Sequence, residues 1–246
     1  MQKRIKRLQA GADMKLTLAI TVYNRWEMLL ESFAGVISDD RIDEILIMDD
    51  CSKDEYWNKI KELPKFNPKI KVVRQLENRG MSVNKRDAIF NSTNEWVLIG
   101  DSDNIFEKDY LDALEKEWSK QGSPFKGHIF SPSFAKPMFD YRKFERTLFN
   151  LDDLPKLNDP SCNCLFNTCN YVVHREEYVR TWKENKEHKA SDTIWFAYLW
   201  LKEGNSLYVV PDMYYTHRVH NGSGFMEDVD YNMKKAEEVK NKILLL

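Results

Sequence analysis

The sequence predicts an α/β fold built on a mainly parallel sheet, and two observations carry that prediction. Between residues 16 and 120, four apolar, β-rich segments are each followed by a segment with apolar residues at helical spacing. That is the pattern of consecutive βαβ units with right-handed crossovers. No repeat and no low-complexity linker divides the 246 residues, so the body of the chain reads as one compact domain.

Each element follows from its residues. Leu16–Tyr23 (LTLAITVY) is continuously apolar, as a strand buried on both faces must be. Trp26, Leu29, Leu30, Phe33, Val36 and Ile37 form the stripe of an amphipathic helix. Ile42–Met48 is the second strand, and Tyr56, Trp57 and Ile60 mark a second helix that Pro64 ends. Ile70–Val73 is a short third strand, followed by a helix over Ser82–Phe90. Trp96–Ile99 is the fourth strand, and a helix bearing Tyr110, Leu111, Leu114 and Trp118 begins near Glu107.

Past residue 120 the pattern loosens. Phe125–Leu157 is rich in Pro, Phe and charge and reads as irregular, with one strand at His128–Ser131. Leu165–Val173 is a strand candidate leading into a helix at Arg175–Trp182. Asp192–Leu201 is apolar nearly all round, which marks a buried helix. Leu207–Val210 and Met213–His217 read as two strands broken at Pro211. A polar helix from about Glu227 runs to a terminal Ile-Leu-Leu-Leu.

Composition excludes several classes of function. Lys and Arg number 37 against 39 Asp and Glu, a formal net charge of −2, whereas a general nucleic-acid binder needs a strongly basic face. No apolar run reaches the ~18 residues of a membrane span. Lys3, Arg4, Lys6 and Arg7 have no apolar signal core behind them. Residues 1–14 are therefore expected to form a disordered basic arm, with Met14 as an alternative start. The expected location is the cytoplasm; the arm and the terminal leucines support at most peripheral contact with the inner face of a membrane. Cys51, Cys162, Cys164 and Cys169 lack the paired spacing of a zinc site, so free thiols are expected. Aromatic residues reach 13%, and Phe130, Phe134, Phe139, Tyr141, Phe144 and Phe149 crowd one stretch, suited either to core packing or to stacking on a ligand ring.

Ligands of an open parallel sheet bind outside the carboxyl ends of its strands. Four features fall on that edge: Thr21-Val22-Tyr23-Asn24-Arg25, Asp49-Asp50-Cys51-Ser52, Asn78-Arg79-Gly80-Met81 with Lys85-Arg86 behind it, and Asp101-Ser102-Asp103. No G-x-G-x-x-G follows a strand and no G-x-x-x-x-G-K-[ST] occurs, which argues against a dinucleotide dehydrogenase and a P-loop NTPase. Asp101 and Asp103 are the sharpest signal. Two carboxylates at i and i+2 in a turn can face one divalent cation, Mn²⁺ or Mg²⁺, which prefers oxygen ligands and keeps room for phosphate. The same residues also suit a helix N-terminus.

Together these segments resemble the family 2 glycosyltransferases of the GT-A fold. TVYNR, MDDCSKD (the family's DDGS-x-D), LENRGMSVNKRDAI (its N-x-G-x-x-x-A-R-N) and WVLIGDSDNIFEKDYLDAL follow in family order over roughly residues 16–120, and THRVHNGS at 216–223 is similar to its late R-x-H-x-x-S. The resemblance implies a GT-A type, Rossmann-like, mainly parallel sheet flanked by helices, with a small antiparallel portion on the acceptor side. One domain would then span residues 15–225, with a nucleotide-sugar half at 15–120, an acceptor half at 121–225 and a C-terminal helix at 226–246.

The same resemblance implies roles. Thr21 would lie under the nucleotide base, Tyr23 and Asn24 beside it, and Asp50 would accept a hydrogen bond from a uracil-like N–H. Arg86 would approach the diphosphate or the base. Asp101 would touch ribose or metal, with Ser102 beside the nucleotide, while Asp103 would be the direct metal ligand, assisted by His220 rather than His217. Cys51 departs from the family's frequent Gly, and Asn84-Lys85 from a small residue before Arg86. Asp192 matches the second carboxylate of the family's E-D and would be the base, although Ser191 replaces the first and either residue would also cap the helix. Asn170 and Tyr171 are the expected contacts to the sugars of the acceptor side.

The activity implied is metal-dependent, inverting transfer of a sugar from a nucleoside diphosphate donor, UDP-linked, to a carbohydrate or other hydroxyl acceptor, lipid-linked acceptors included. A sugar-phosphate nucleotidyltransferase is the alternative of the same fold class, against which stands the absence of a Gly-rich basic loop after the first strand. A catalytically silent nucleotide-sugar binding module is the alternative of a different class, against which stand Asp103 and Asp192.

Overall fold

The computed structural model of the chain describes residues 14–121, 125–153, 169–188, 191–220, 222–223 and 226–246. The basic arm up to residue 13, Cys162, Cys164 and the start of the Leu165–Val173 segment lie outside the described residues. The four expected units are β1 (Leu16–Val22), α1 (Trp26–Ala34), β2 (Ile42–Asp49), α2 (Asp54–Ile60), β3 (Ile70–Arg74), α3 (Met81–Asn91), β4 (Trp96–Asp101) and α4 (Lys108–Gln121). They continue into β5 (His128–Lys136), β6 (Phe139–Asp140), β7 (Leu148–Phe149), β8 (Val172–His174), α5 (Arg175–Thr181), α6 (Asp192–Lys202), β9 (Ser206–Thr216) and α7 (Val229–Ile243).

Among the described residues the strands form one sheet in the order β3-β2-β1-β4-β8-β5-β9-β7, with β6 on β5. The first four pair in parallel. Their order reverses between β1 and β4, so the carboxyl ends of these two strands frame a switch point, the place where such sheets bind ligands. Thr21 sits there, opposite Met48 on one side and Asp101 on the other. Beyond β4 the sheet is mixed: β8 is antiparallel to both β4 and β5, while β5 and β9 run parallel.

Side chains alternate across the sheet with the two-residue period of a strand. Leu16, Leu18 and Ile20 join a core layer with Phe33, Ile60, Leu111 and Leu114 from α1, α2 and α4. Ala19, Met48, Val97 and Ile99 face the opposite layer with Ala88, Tyr178, Trp200, Val239 and Ile243 from α3, α5, α6 and α7. Each large aliphatic buried in these layers contributes about 1.5–3 kcal/mol, which holds the strand ends in place. Ile243 of the terminal Ile-Leu-Leu-Leu is thus core, whereas Leu245 is exposed. Phe130, Tyr141 and Phe149 are buried too, and Phe130 meets Trp96 and Trp118 ring to ring. Packing accounts for these members of the aromatic run.

Two expectations change. The segments Leu207–Val210 and Met213–His217 are one strand, β9, not two. Asp212 after Pro211 takes φ +61° and the register with β5 slips between Pro132 and Phe134. That bulge absorbs the proline, which has no N–H for the ladder, and the strand continues. The 125–149 stretch is also more regular than its composition implies, because β5 runs on to Lys136 and turns into β6. Among the described residues no helix is long and apolar enough to cross a membrane.

Candidate active site

The loops at the switch point are tied to one another by polar side chains. After β1 the chain turns at Asn24, φ +55°, a conformation that Asn tolerates better than most residues. Its N–H donates to Ser52 Oγ and its Oδ1 accepts from the Lys53 N–H, both at 2.8 Å. Tyr23 stays 46% exposed beside this turn. After β2, Asp50 is buried, and its carboxylate accepts the backbone N–H groups of Arg79 and Gly80 at 2.8 and 2.9 Å. Burial raises its pKa, with those two donors opposing. Cys51 takes φ +61°, the left-handed region, which explains why glycine suits this position.

Gly80 (φ +83°) leads into α3, whose inner face carries Asn84 and Lys85. Asn84 Nδ2 donates to the Met48 carbonyl at 3.0 Å. Lys85 runs beneath the turn after β4, and its Nζ lies 3.1 Å from Asp101 Oδ1 and 3.1 Å from Asp192 Oδ2. Arg86, one residue further round the helix, points elsewhere. Its guanidinium lies 5.0 Å from the Trp182 ring and pairs with Asp87. The cation that α3 brings to the site is therefore Lys85 and not the expected Arg86. Counting N-x-G-x-x-x-A-R-N from Asn78 places the arginine of that pattern on Lys85, and this count is the signal that finds it.

The turn after β4 is stapled from below. Asp101 N–H donates to Asn170 Oδ1 at 2.9 Å and Ser102 N–H to the Thr21 carbonyl at 3.2 Å. Ser102 Oγ is buried with no partner among the described residues. Asn170 is buried at φ +58° and also accepts the Tyr110 hydroxyl on its carbonyl. Tyr171 is buried as well. Both were expected at the acceptor sugars. The structure places them under the site, lining a crevice with Lys85, Asp101, Cys169 and Thr193.

The charges around Lys85 oppose one another in a dry setting. Burial disfavours the ammonium, but Asp101 and Asp192 outweigh it and hold Lys85 well above the ordinary lysine value. Burial raises the Asp101 carboxyl and Lys85 more than reverses this, so its pKa is lowered. For Asp192 burial prevails over Lys85 and the pKa is raised. Asp192 opens α6 after the N-cap Ser191, whose Oγ meets His188 Nδ1 at 3.0 Å and makes no capping hydrogen bond.

Asp103 points the other way. Its Oδ2 accepts from Arg25 Nη1 at 2.8 Å and lies 3.0 Å from His220 Nε2. His220 Nδ1 accepts the Gly222 N–H at 3.1 Å, which leaves Nε2 as the protonated nitrogen. Arg218 donates to the Asp103 and Met28 carbonyls and pairs with Glu31, clamping the segment after β9 against α1. His217 packs on Phe139 instead. Among the described residues no three His, Cys, Asp or Glu side chains converge as a metal cage. A divalent cation keeps waters, takes phosphate oxygens and needs only one or two protein ligands; Asp103 fits one, and His220 would join it through Nε2 with the ring proton moved to Nδ1 and the Gly222 contact given up.

Carboxylates at the switch point of a 3-2-1-4 parallel sheet, with a histidine brought in after the last strand, define a protein of the GT-A type. Residues 17–168 match the family described as Glycosyl transferase family 2, and the chain belongs to that family. Glycosyltransferase GlyA of Streptococcus pneumoniae is 23% identical over 158 residues, 58% of this chain and 23% of that protein. An uncharacterized glycosyltransferase of Rickettsia felis is 33% identical over 103 residues, 41% of this chain and 16% of that one. The chain thus spans less than a quarter of the length of these curated relatives. Among solved structures, S. aureus TarS 1-349 in complex with UDP-GlcNAc shares the fold at TM-score 0.67 and 18% identity, over 94% of this chain and 70% of that one. The mannosyltransferase PcManGT from Pyrobaculum calidifontis in complex with GDP-Man and Mn²⁺ does so at 0.66 and 17%, over 94% and 68%.

Proposed function

We propose that the chain is an inverting glycosyltransferase that moves a sugar from a nucleoside diphosphate donor, UDP-linked, to a hydroxyl acceptor on a glycan or a lipid-linked carrier. The observation that carries this reading is the meeting of Asp101 and Asp192 on Lys85 at the β1/β4 switch point, with Asp103 on the outer side of the same turn, in a chain of this family. Tyr23, exposed on the edge, would flank the base, with Thr21 and the Asn24–Ser52 turn forming the floor. Asp50, already holding Arg79 and Gly80, would fix the loop against which the base lies. UDP and GDP-Man with Mn²⁺ in the structural neighbours support a nucleotide donor and a divalent cation.

Asp103 and His220 would hold Mn²⁺ or Mg²⁺, which supplies neutralisation of the departing diphosphate. Asp192 would take the proton of the acceptor hydroxyl as its oxygen attacks the anomeric carbon from the face opposite the leaving diphosphate. Burial raises the Asp192 pKa against the pull of Lys85, and a carboxylate with a raised pKa is a better proton acceptor than an exposed one. Thermal unfolding tests the donor site: UDP with Mn²⁺ is expected to raise the Tm more than either alone. A panel of UDP- and GDP-sugars read by donor hydrolysis then tests the transfer. No Tm response to any nucleoside diphosphate with metal would refute the reading.

A further inference from the structure

Lys85 has no part in the chemistry above, yet it is the most expensive side chain in the site. A lysine is almost never buried unless paired, and this one is 8% exposed with its ammonium between two carboxylates at equal distance. The two partners belong to different tasks. Asp101 ends the strand that carries the donor turn, and Asp192 opens the helix that carries the base. Among the described residues, the titratable groups facing Asp192 include Lys85 from α3, Asp101 from β4, Tyr178 from α5 and Tyr171 ahead of β8. Of these only Lys85 is cationic.

We propose that Lys85 is the positioning residue of the transfer: by bridging Asp101 and Asp192 it aims the base carboxylate at the donor turn and keeps it in the proton-accepting form. This rests on Asp192 being the base. An ammonium suits the place because its three donors leave one hydrogen after both carboxylates are met. Without it, Asp192 would face Asp101 as a like charge in a dry crevice, with no cation to hold the two carboxylates together. The bridge also makes the donor turn and the base a single unit, so a displacement of one is felt by the other.

The test uses the full chain with ¹³C-carboxyl-labelled aspartate, with Asp192→Asn assigning the Asp192 signal. In Lys85→Met the Asp192 titration is expected to move up by about 1–3 pH units. The acid limb of kcat/KM for hydrolysis of UDP-GlcNAc or GDP-mannose, whichever the panel shows to be cleaved, moves with it. Lys85→Arg keeps the charge and is expected to return both midpoints towards the wild-type values. Where Lys85→Met does not fold, Lys85→Gln gives the same reading. If Asp192→Asn is inactive but the Asp192 midpoint and the acid limb stay put in a folded Lys85→Met, the role of Lys85 falls alone. If Asp192→Asn retains full hydrolysis, the base assignment falls and takes the role of Lys85 with it.

Discussion

Asp101 and Asp103 stand two residues apart on one turn, and each faces a cation of a different kind. Asp101 shares Lys85 with Asp192, where the side chains of Lys85 and Asp192 are 10% and 8% exposed. Asp103, itself 13% exposed against 23% for Asp101, meets partners nearer the surface, Arg25 and His220 at 23% and 18%. Removing one partner of a buried pair leaves an uncompensated charge in a low dielectric. A partly exposed ion pair is worth far less and can be given up for a stronger ligand. One turn therefore carries a buried, firmly held cation on its inner side and a more exposed, weakly held one on its outer side.

The comparison can be broken at either side. Asp192→Asn is expected to lower turnover by about 10²–10⁴-fold, the share of a general base, while UDP binding, read by calorimetry, stays intact. Lys85→Met is expected to cost about 3–5 kcal/mol in urea unfolding, as breaking a buried pair does. Its pH dependence has a definite sign. With Lys85 raised above 10.5, its contribution is complete below that value and lost as pH rises through the folded-state value. With Asp101 lowered from 3.8, its contribution is complete above that value and lost on acidification. A Tm profile of the wild type should therefore fall at its alkaline end more steeply than that of Lys85→Met.

The outer side gives smaller effects. Asp103→Asn is expected to abolish the extra stabilisation by UDP with Mn²⁺, about 2.7 kcal/mol at a hundred times Kd, while leaving the apo Tm nearly unchanged. Arg25→Ala is expected to cost about 0–1 kcal/mol of stability and to tighten Mn²⁺ binding a few-fold, since the guanidinium no longer occupies Asp103 Oδ2. A loss of several kcal/mol in Arg25→Ala would mean that both sides of the turn are fixed, and the contrast would vanish.

The half of the molecule around β1 to β4 was legible because strands buried on both faces read as apolar runs and their helices as stripes. The nearness of His220 to Asp103, and the place of Asp192 at the head of α6, follow what the family resemblance implied. Lys85 was not, because a charged residue on an otherwise polar helix reads as solvated surface, and only the sheet above α3 makes its position interior. Asn170 was expected beside the acceptor sugars from its strand-like segment, and its commitment to the Asp101 amide could not be read there because the partner lies 69 residues away. Pro211 hid the continuity of β9, since the bulge that accommodates it depends on the partner strand β5.

Arg25 donates to the carbonyl of Gly222, which lies 197 residues further along the chain. A contact of such separation carries the entropy cost of closing a long loop, which the packing of the strands between must offset. The parallel strands can gather from near neighbours in sequence, but the corner that binds Asp103 waits for the segment after β9. The acidic turn is closed by Arg25 and His220 only when the first strand and the segment after β9 are both in place.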